Sequence, residues 1–152
     1  MRAWRIAKEA YALDRTGAGG LYEGGRWHEV GAPVIHAGLS AEICAMEKLV
    51  HTGPILPVDL VLVALTLPDA PDLYEEADVA ALPGWDVLPP GGASIEFGTA
   101  FLRSGRALGL IVPSAVMPEA RNVILNPLHR RFPEVELALE RPFSFDPRLR
   151  SG

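Results

Sequence analysis

Apolar and polar positions change period several times along this chain, and each change marks an element. Residues 58–67 are almost continuously apolar and β-branched, the pattern of a strand buried on both faces. Residues 4–7 predict a short opening strand, and residues 33–37, bounded by Gly31 and Gly38, predict another. Val135, Leu137 and Leu139 alternate with Glu136, Ala138 and Glu140, as in a half-exposed strand. Residues 107–112 and 122–125 read as two more strands, separated by Pro113-Ser114-Ala115-Val116-Met117-Pro118.

Helical spacing appears in two places. Ile43, Met46 and Val50 form one stripe over residues 40–51, with Ser40 as N-cap and Gly53-Pro54 as the stop. A second helix is predicted from Ser94, as its cap, to about Ser104, with Phe97 and Phe101 on one face. After Pro68 the chain is acidic and rich in proline through Pro90, with only a helical turn expected near residues 78–82. Five or six short strands and two or three helices in mixed order predict an α+β fold. The expected form is one compact domain over residues 1–152 around a small mixed or antiparallel sheet.

Composition narrows the class. An apolar fraction of 49% supports a packed globule and excludes a disordered chain. The 15 glycines and 14 prolines are spread throughout, which fits many short elements and not a long helical bundle. A net charge of −5 argues against direct nucleic-acid binding, although Arg121, Arg130 and Arg131 lie close in sequence. Cys44 is the single cysteine, so neither an intramolecular disulfide nor a multi-cysteine zinc site is available. The first residues lack the apolar core of a signal peptide, and the longest apolar run, Leu60 to Leu65, falls far short of the roughly 20 residues of a membrane helix. The expectation is a cytoplasmic protein with no membrane partner.

Gly24-Gly25-Arg26-Trp27-His28 sets a guanidinium after two glycines, a loop compatible with phosphate. Its other reading is an arginine stacked on Trp27 at the surface. The glycine spacing matches neither a P-loop nor a dinucleotide fingerprint. Glu47 and His51 lie four apart on the first predicted helix, so they share a flank. That pair suits acid–base work or stabilisation of developing positive charge, or it is simply a surface helix pair. His36 interrupts an apolar strand, as a satisfied core histidine or as the wall of a site. Ser114 can donate to a phosphate or serve its turn. Cys44 reads as a small core residue. No HExxH spacing occurs, so no metal is expected, and no Gly-x-Ser-x-Gly elbow supports a serine hydrolase.

Taken in order, these pieces resemble the RES-domain family, the toxins of RES–Xre type II toxin–antitoxin pairs. The segments that carry the resemblance are Trp4-Arg5-Ile6, Gly24-Gly25-Arg26-Trp27-His28, Pro33-Val34-Ile35, and Ala45-Met46-Glu47-Lys48-Leu49-Val50-His51. They continue with Val112-Pro113-Ser114-Ala115-Val116-Met117-Pro118, Asn126-Pro127-Leu128-His129 and Asp146-Pro147-Arg148-Leu149, and together they span nearly the whole chain. The arginine, glutamate and serine of the family name look like Arg26, Glu47 and Ser114.

The resemblance implies a fold related to ADP-ribosyltransferase toxins, NAD+ as substrate, growth arrest as the outcome, and a cognate Xre-type antitoxin that covers the active site. It implies catalytic roles for Glu47 and Arg26, with His51 orienting Glu47 or steering the acceptor. Contacts to NAD+ are expected from Arg26, His36, Ser114 and Arg5, and from Asn126 through the adjacent loop, with a structural turn before Pro127 as the equal alternative for Asn126. Many members carry tyrosine where this chain has His36, and often asparagine where it has His28. The acceptor of ADP-ribose is expected to be a protein side chain, making this a mono-ADP-ribosyltransferase. Water or phosphate as acceptor would instead make it an NAD+ glycohydrolase or phosphorylase. The reading from another class is a non-catalytic nucleotide-binding module.

Overall fold

The computed structural model describes residues 1–150. Its frame is one seven-stranded sheet: β1 (Arg2–Lys8), β2 (Ile35–Gly38), β3 (Leu60–Thr66), β4 (Tyr74–Glu76), β5 (Gly109–Pro113), β6 (Arg121–Leu125) and β7 (Glu136–Phe143). The strand order is β4-β5-β6-β2-β1-β3-β7. Every pairing is antiparallel except β4 with β5, which gives the mixed sheet of an α+β fold. Three α-helices accompany it: α1 (Gly19–Tyr22), α2 (Ala41–Val50) and α3 (Gly92–Ser104).

Local rules account for most of these elements. β3 is apolar on both sides because it lies inside the sheet between β1 and β7, with both faces covered. α2 starts where Ser40 accepts a hydrogen bond from the Ile43 amide, an N-cap worth about 1 kcal/mol. Asp78 caps the 3-10 turn Val79–Ala81 in the same way. The start of α3 differs from expectation. Its N-cap is Gly91, and Ser94 lies inside the first turn, buried on the inward face with Gly98, Phe101 and Leu102. β4 was not legible in the chain: it is three residues long and forms only by parallel pairing with β5.

The two sheet faces are covered differently. One carries Ala3, Ala7, Ile35, Ala37, Val61, Val63, Val123 and Leu125 and is sealed by Ala12, Leu67, Leu73, Phe132 and Val135 from loops. The other is covered in two separate pieces. Over one half, Cys44 of α2 packs on Ile6, Leu60 and Leu62. Over the other, Phe101 and Leu102 of α3, with Trp27, pack on Leu110, Val112 and Ile124. α3 comes so close that a Cβ on Gly98 would lie 1.7 Å from the Trp27 carbonyl oxygen, so only glycine fits there. Between the two pieces runs β2, and its outward residues on this face are His36 and Gly38.

Candidate active site

The strip of sheet left between α2 and α3 is where polar groups converge. Glu47 projects from α2, and its Oε1 accepts a hydrogen bond from Ser114 Oγ at 2.6 Å and another from Asn122 Nδ2 at 2.9 Å. Ser114 follows the end of β5 and Asn122 sits in β6 opposite Gly38 of β2. The carboxylate is therefore fixed from two sides through one oxygen, and Oε2 has no hydrogen-bond partner among the described residues. His36 stands two residues along β2 from Gly38, about 7 Å on the same face at ordinary strand rise.

The opposite wall is the segment that holds Arg26. Gly25 and His28 form an isolated β-bridge, so the segment is pinned and not a flexible loop. Trp27 is buried, stacked on Trp85 and edge-on to Phe97, which overturns the surface arginine–tryptophan stack. Arg26 instead donates through Nη1 to the carbonyls of Trp85 and Val87, at 2.8 and 2.9 Å. Its Nε and Nη2 have no partner among the described residues and remain available to an anion. Buried His28 hydrogen-bonds the Glu23 carbonyl through Nε2 at 2.8 Å and His36 Nε2 through Nδ1 at 3.2 Å.

Several expected contacts are corrected by this geometry. Ser114 is 1% exposed and spends its hydroxyl fully: it donates to Glu47 and accepts from the amides of Val116 and Met117. It positions Glu47 and has no capacity left for a phosphate. Asn126 is likewise buried, with Nδ2 on the Leu102 carbonyl and Oδ1 on the Leu128 amide, so it ties its own turn and does not face the cleft. His51 caps α2 by hydrogen-bonding the main-chain carbonyl of Glu47 at 2.7 Å. Orientation of the carboxylate falls to Ser114 and Asn122, and His51 stands at the rim.

Arg5 alternates on β1 with Ala3 and Ala7, which turns it to the sheet face opposite His36 and α2. Its Nη1 donates to the Asp14 carbonyl at 3.2 Å. Desolvation lowers its pKa, opposed by the nearby Asp14 and Cys44. β1 and β2 share only the pair Trp4–Gly38, so the sheet opens beyond it, and Arg5 remains near enough to His36 to act on it. The His36 ring is open on the cleft side. Desolvation by the surrounding protein, then the charges of His28, His51 and Arg5, hold its pKa below the usual imidazole range, favouring the neutral ring. Burial pushes the Cys44 thiol up to about 11, which fits a core residue and not a nucleophile.

Asn122 was not singled out from the chain. The available signal was an amide, poorly suited to strands, at the head of the apolar run Val123–Leu125. Two surface hollows lie elsewhere: one of about 650 Å³ beside Arg15, Phe132 and Leu137, and one of about 470 Å³ beside Glu96, Thr99 and Arg103. Neither gathers a fixed carboxylate, imidazoles and a guanidinium, so the chemistry locates the site and the depth of a hollow does not. No group of three or more His, Cys, Asp or Glu set to hold a metal ion occurs among the described residues. No helix among them is long and apolar enough to cross a membrane.

Known proteins resemble this chain in sequence and in fold. The family profile described as RES domain matches residues 2–146. A Sphingobium protein named Prs ADP-ribosylating toxin is 38% identical, covering 96% of this chain and 94% of its own length. Toxin Res of Pseudomonas putida is 39% identical over 98% of this chain and 99% of its own. Toxin Res of Photorhabdus laumondii is 31% identical, covering 98% and 97%. Among solved structures, the M. tuberculosis MbcT–MbcA toxin–antitoxin complex contains a chain that matches with a TM-score of 0.70 at 19% identity, covering 98% of this chain and 86% of that one, which shows a shared fold. The carboxylate clamped by Ser114 and Asn122 thus sits in a protein of the RES-domain family.

Proposed function

We propose that this protein is the toxin of a toxin–antitoxin pair and that it cleaves NAD+ at the nicotinamide–ribose bond and transfers ADP-ribose. The observation that carries the reading is the state of Glu47: one carboxylate oxygen is fixed by two hydrogen bonds, and the other has no hydrogen-bond partner among the described residues. Breaking the bond between C1′ and the nicotinamide nitrogen sends the electron pair to that nitrogen. The ring leaves neutral and a cation builds on the ribose. A carboxylate preorganised next to the ribose stabilises that cation and can hold a ribose hydroxyl, with no reorganisation required during the reaction. The nucleophile then bonds C1′ and loses its proton to solvent or a nearby base.

The free donors of Arg26 suit the pyrophosphate, since a guanidinium offers two parallel donors to phosphate oxygens. His36 lines the nicotinamide side of the cleft. His51, at the rim, steers the acceptor. Ser114 and Asn122 are positioning residues for Glu47.

The acceptor we favour is a protein side chain, as in a mono-ADP-ribosyltransferase; the relative named for ADP-ribosylation supports this. Water or phosphate as acceptor uses the same residues. The toxin–antitoxin complex of similar fold supports an antitoxin partner, which we take to be of the Xre type and to cover this cleft. The test is incubation of the purified protein with NAD+ labelled in the adenosine half, with and without cell lysate. Released nicotinamide with a labelled protein band supports the transferase. Free ADP-ribose or its phosphate as the sole labelled product assigns the NAD+-depleting activity, and no nicotinamide release leaves a nucleotide-binding module.

A further inference from the structure

The two histidines of the cleft form a directed pair, and its direction can be derived. A carbonyl oxygen only accepts, so the 2.8 Å contact between His28 Nε2 and the Glu23 carbonyl requires the proton on His28 Nε2. A neutral imidazole that donates through Nε2 keeps its lone pair on Nδ1. The 3.2 Å contact to His36 Nε2 therefore requires the proton on His36 Nε2. His36 Nδ1 is left as a lone pair, and it has no hydrogen-bond partner among the described residues. The ring centroids are 4.9 Å apart at 46°, and a side chain at position 25 would crowd the pair. A Cβ on Gly25 would lie 3.0 Å from His28 Cε1 and 3.9 Å from His36 Cε1. His28 is buried behind His36, whose ring is open to the cleft.

We propose that His28 locks His36 in the tautomer that presents an unprotonated Nδ1 to the cleft, where it accepts a hydrogen bond from the carboxamide of NAD+ and selects the amide over the corresponding acid. The inference rests on the reading of His36 as the nicotinamide wall. A carboxamide brings N–H donors to that lone pair. A carboxylate in the same place brings only lone pairs and a negative charge, so the contact turns repulsive. A polar site matched to one hydrogen-bonding pattern discriminates strongly against the reverse pattern. His36 is then a specificity determinant and His28 the residue that orients it.

Two variants separate this role from simple packing. His28→Asn keeps an acceptor for His36 Nε2–H and a donor for the Glu23 carbonyl; His28→Leu keeps neither. Two-bond proton–nitrogen correlation spectra of uniformly labelled protein read the tautomer of His36 directly. Calorimetry reads the affinity for NAD+ against that for nicotinic acid adenine dinucleotide. The expected parent shows His36 protonated at Nε2 and bare at Nδ1, and it binds NAD+ at least about tenfold more tightly, one hydrogen bond's worth of selectivity. His28→Leu should mix the tautomers and lose most of that ratio, and His28→Asn should restore both. A proton on His36 Nδ1 in the parent, equal affinity for the two dinucleotides, or an unchanged ratio in His28→Leu would overturn the proposal. Failure of the parent to release nicotinamide from NAD+ would instead overturn ADP-ribosyl transfer, because the tautomer and the binding ratio are measured without turnover.

Discussion

Ser114 Oγ donates to Glu47 Oε1 at 2.6 Å across 67 residues of sequence, while its own lone pairs accept the amides of Val116 and Met117. One hydroxyl thus ties the turn after β5 to the carboxylate of α2. Ser114→Ala should remove an orienting bond to a charged group and leave two amides short of an acceptor. Hydrogen bonds of this kind are worth about 1.5–3 kcal/mol, so nicotinamide release should slow roughly tenfold to a hundredfold. Urea denaturation should register a loss of about 1–3 kcal/mol alongside. A variant that loses stability but not rate would limit Ser114 to the turn.

Arg26→Ala should affect two properties at once. The carbonyls of Trp85 and Val87 lose their donor, so amide hydrogen exchange across residues 85–91 should accelerate. Affinity for NAD+ should fall by a few kcal/mol at most, the scale of charge-assisted contacts. Arg26→Lys keeps the charge but not the fork, and should restore little of either. Faster exchange with unchanged NAD+ affinity would leave Arg26 as a clamp alone.

The contrast between Ser114 and His51 explains how far the chain could be read. Glu47 and His51 share a helix flank by spacing, and α2 runs where its cap and stop place it, although it buries Ile43 and Cys44 and leaves Val50 of the expected stripe exposed. Yet His51 is the C-cap residue, and its ring turns back to the carbonyl of Glu47, a choice made by the end of the helix and not by i, i+4 spacing. The residues that hold Glu47 come from β5 and β6, and their nearness depends on strand order, which local pattern does not encode. Arg26, Glu47, Ser114 and His36 were flagged from the chain. That Ser114 serves Glu47 and not phosphate, and that Asn122 matters at all, required the register of the sheet.

Gly98→Ala should be severe. The added methyl would meet the Trp27 carbonyl oxygen at 1.7 Å, and backbone cannot yield as a side-chain tip can. We expect at least about 2 kcal/mol of destabilisation by chemical denaturation, at the upper end for overpacking. The shift of Trp27 should also reach Arg26 and His28, its neighbours in the chain. Parent-like stability would show that α3 can move away at little cost.

His36 gives a pH dependence with a defined sign. Its folded pKa is depressed below the unfolded value of about 6.5, so below that pH the unfolded chain binds the extra proton first. Stability should therefore fall as pH drops from about 6.5 toward the folded pKa, and recover as pH rises through the same window. His129, also depressed by desolvation and by Arg130 and Arg131, contributes in the same direction. The His36 share is the difference between the parent and His36→Gln, whose unfolding midpoints should vary less with pH. Parallel curves for the two proteins would contradict the neutral imidazole.

If Glu47 stabilises the ribosyl cation, removing its charge in Glu47→Gln should slow nicotinamide release from NAD+. Glutamine keeps the shape and one hydrogen-bond acceptor for Ser114 and Asn122 but removes the charge. With folding verified by its unfolding midpoint, the variant should release nicotinamide at least about a hundredfold more slowly than the parent, the scale of losing one preorganised electrostatic group. Release at the parental rate would contradict the account.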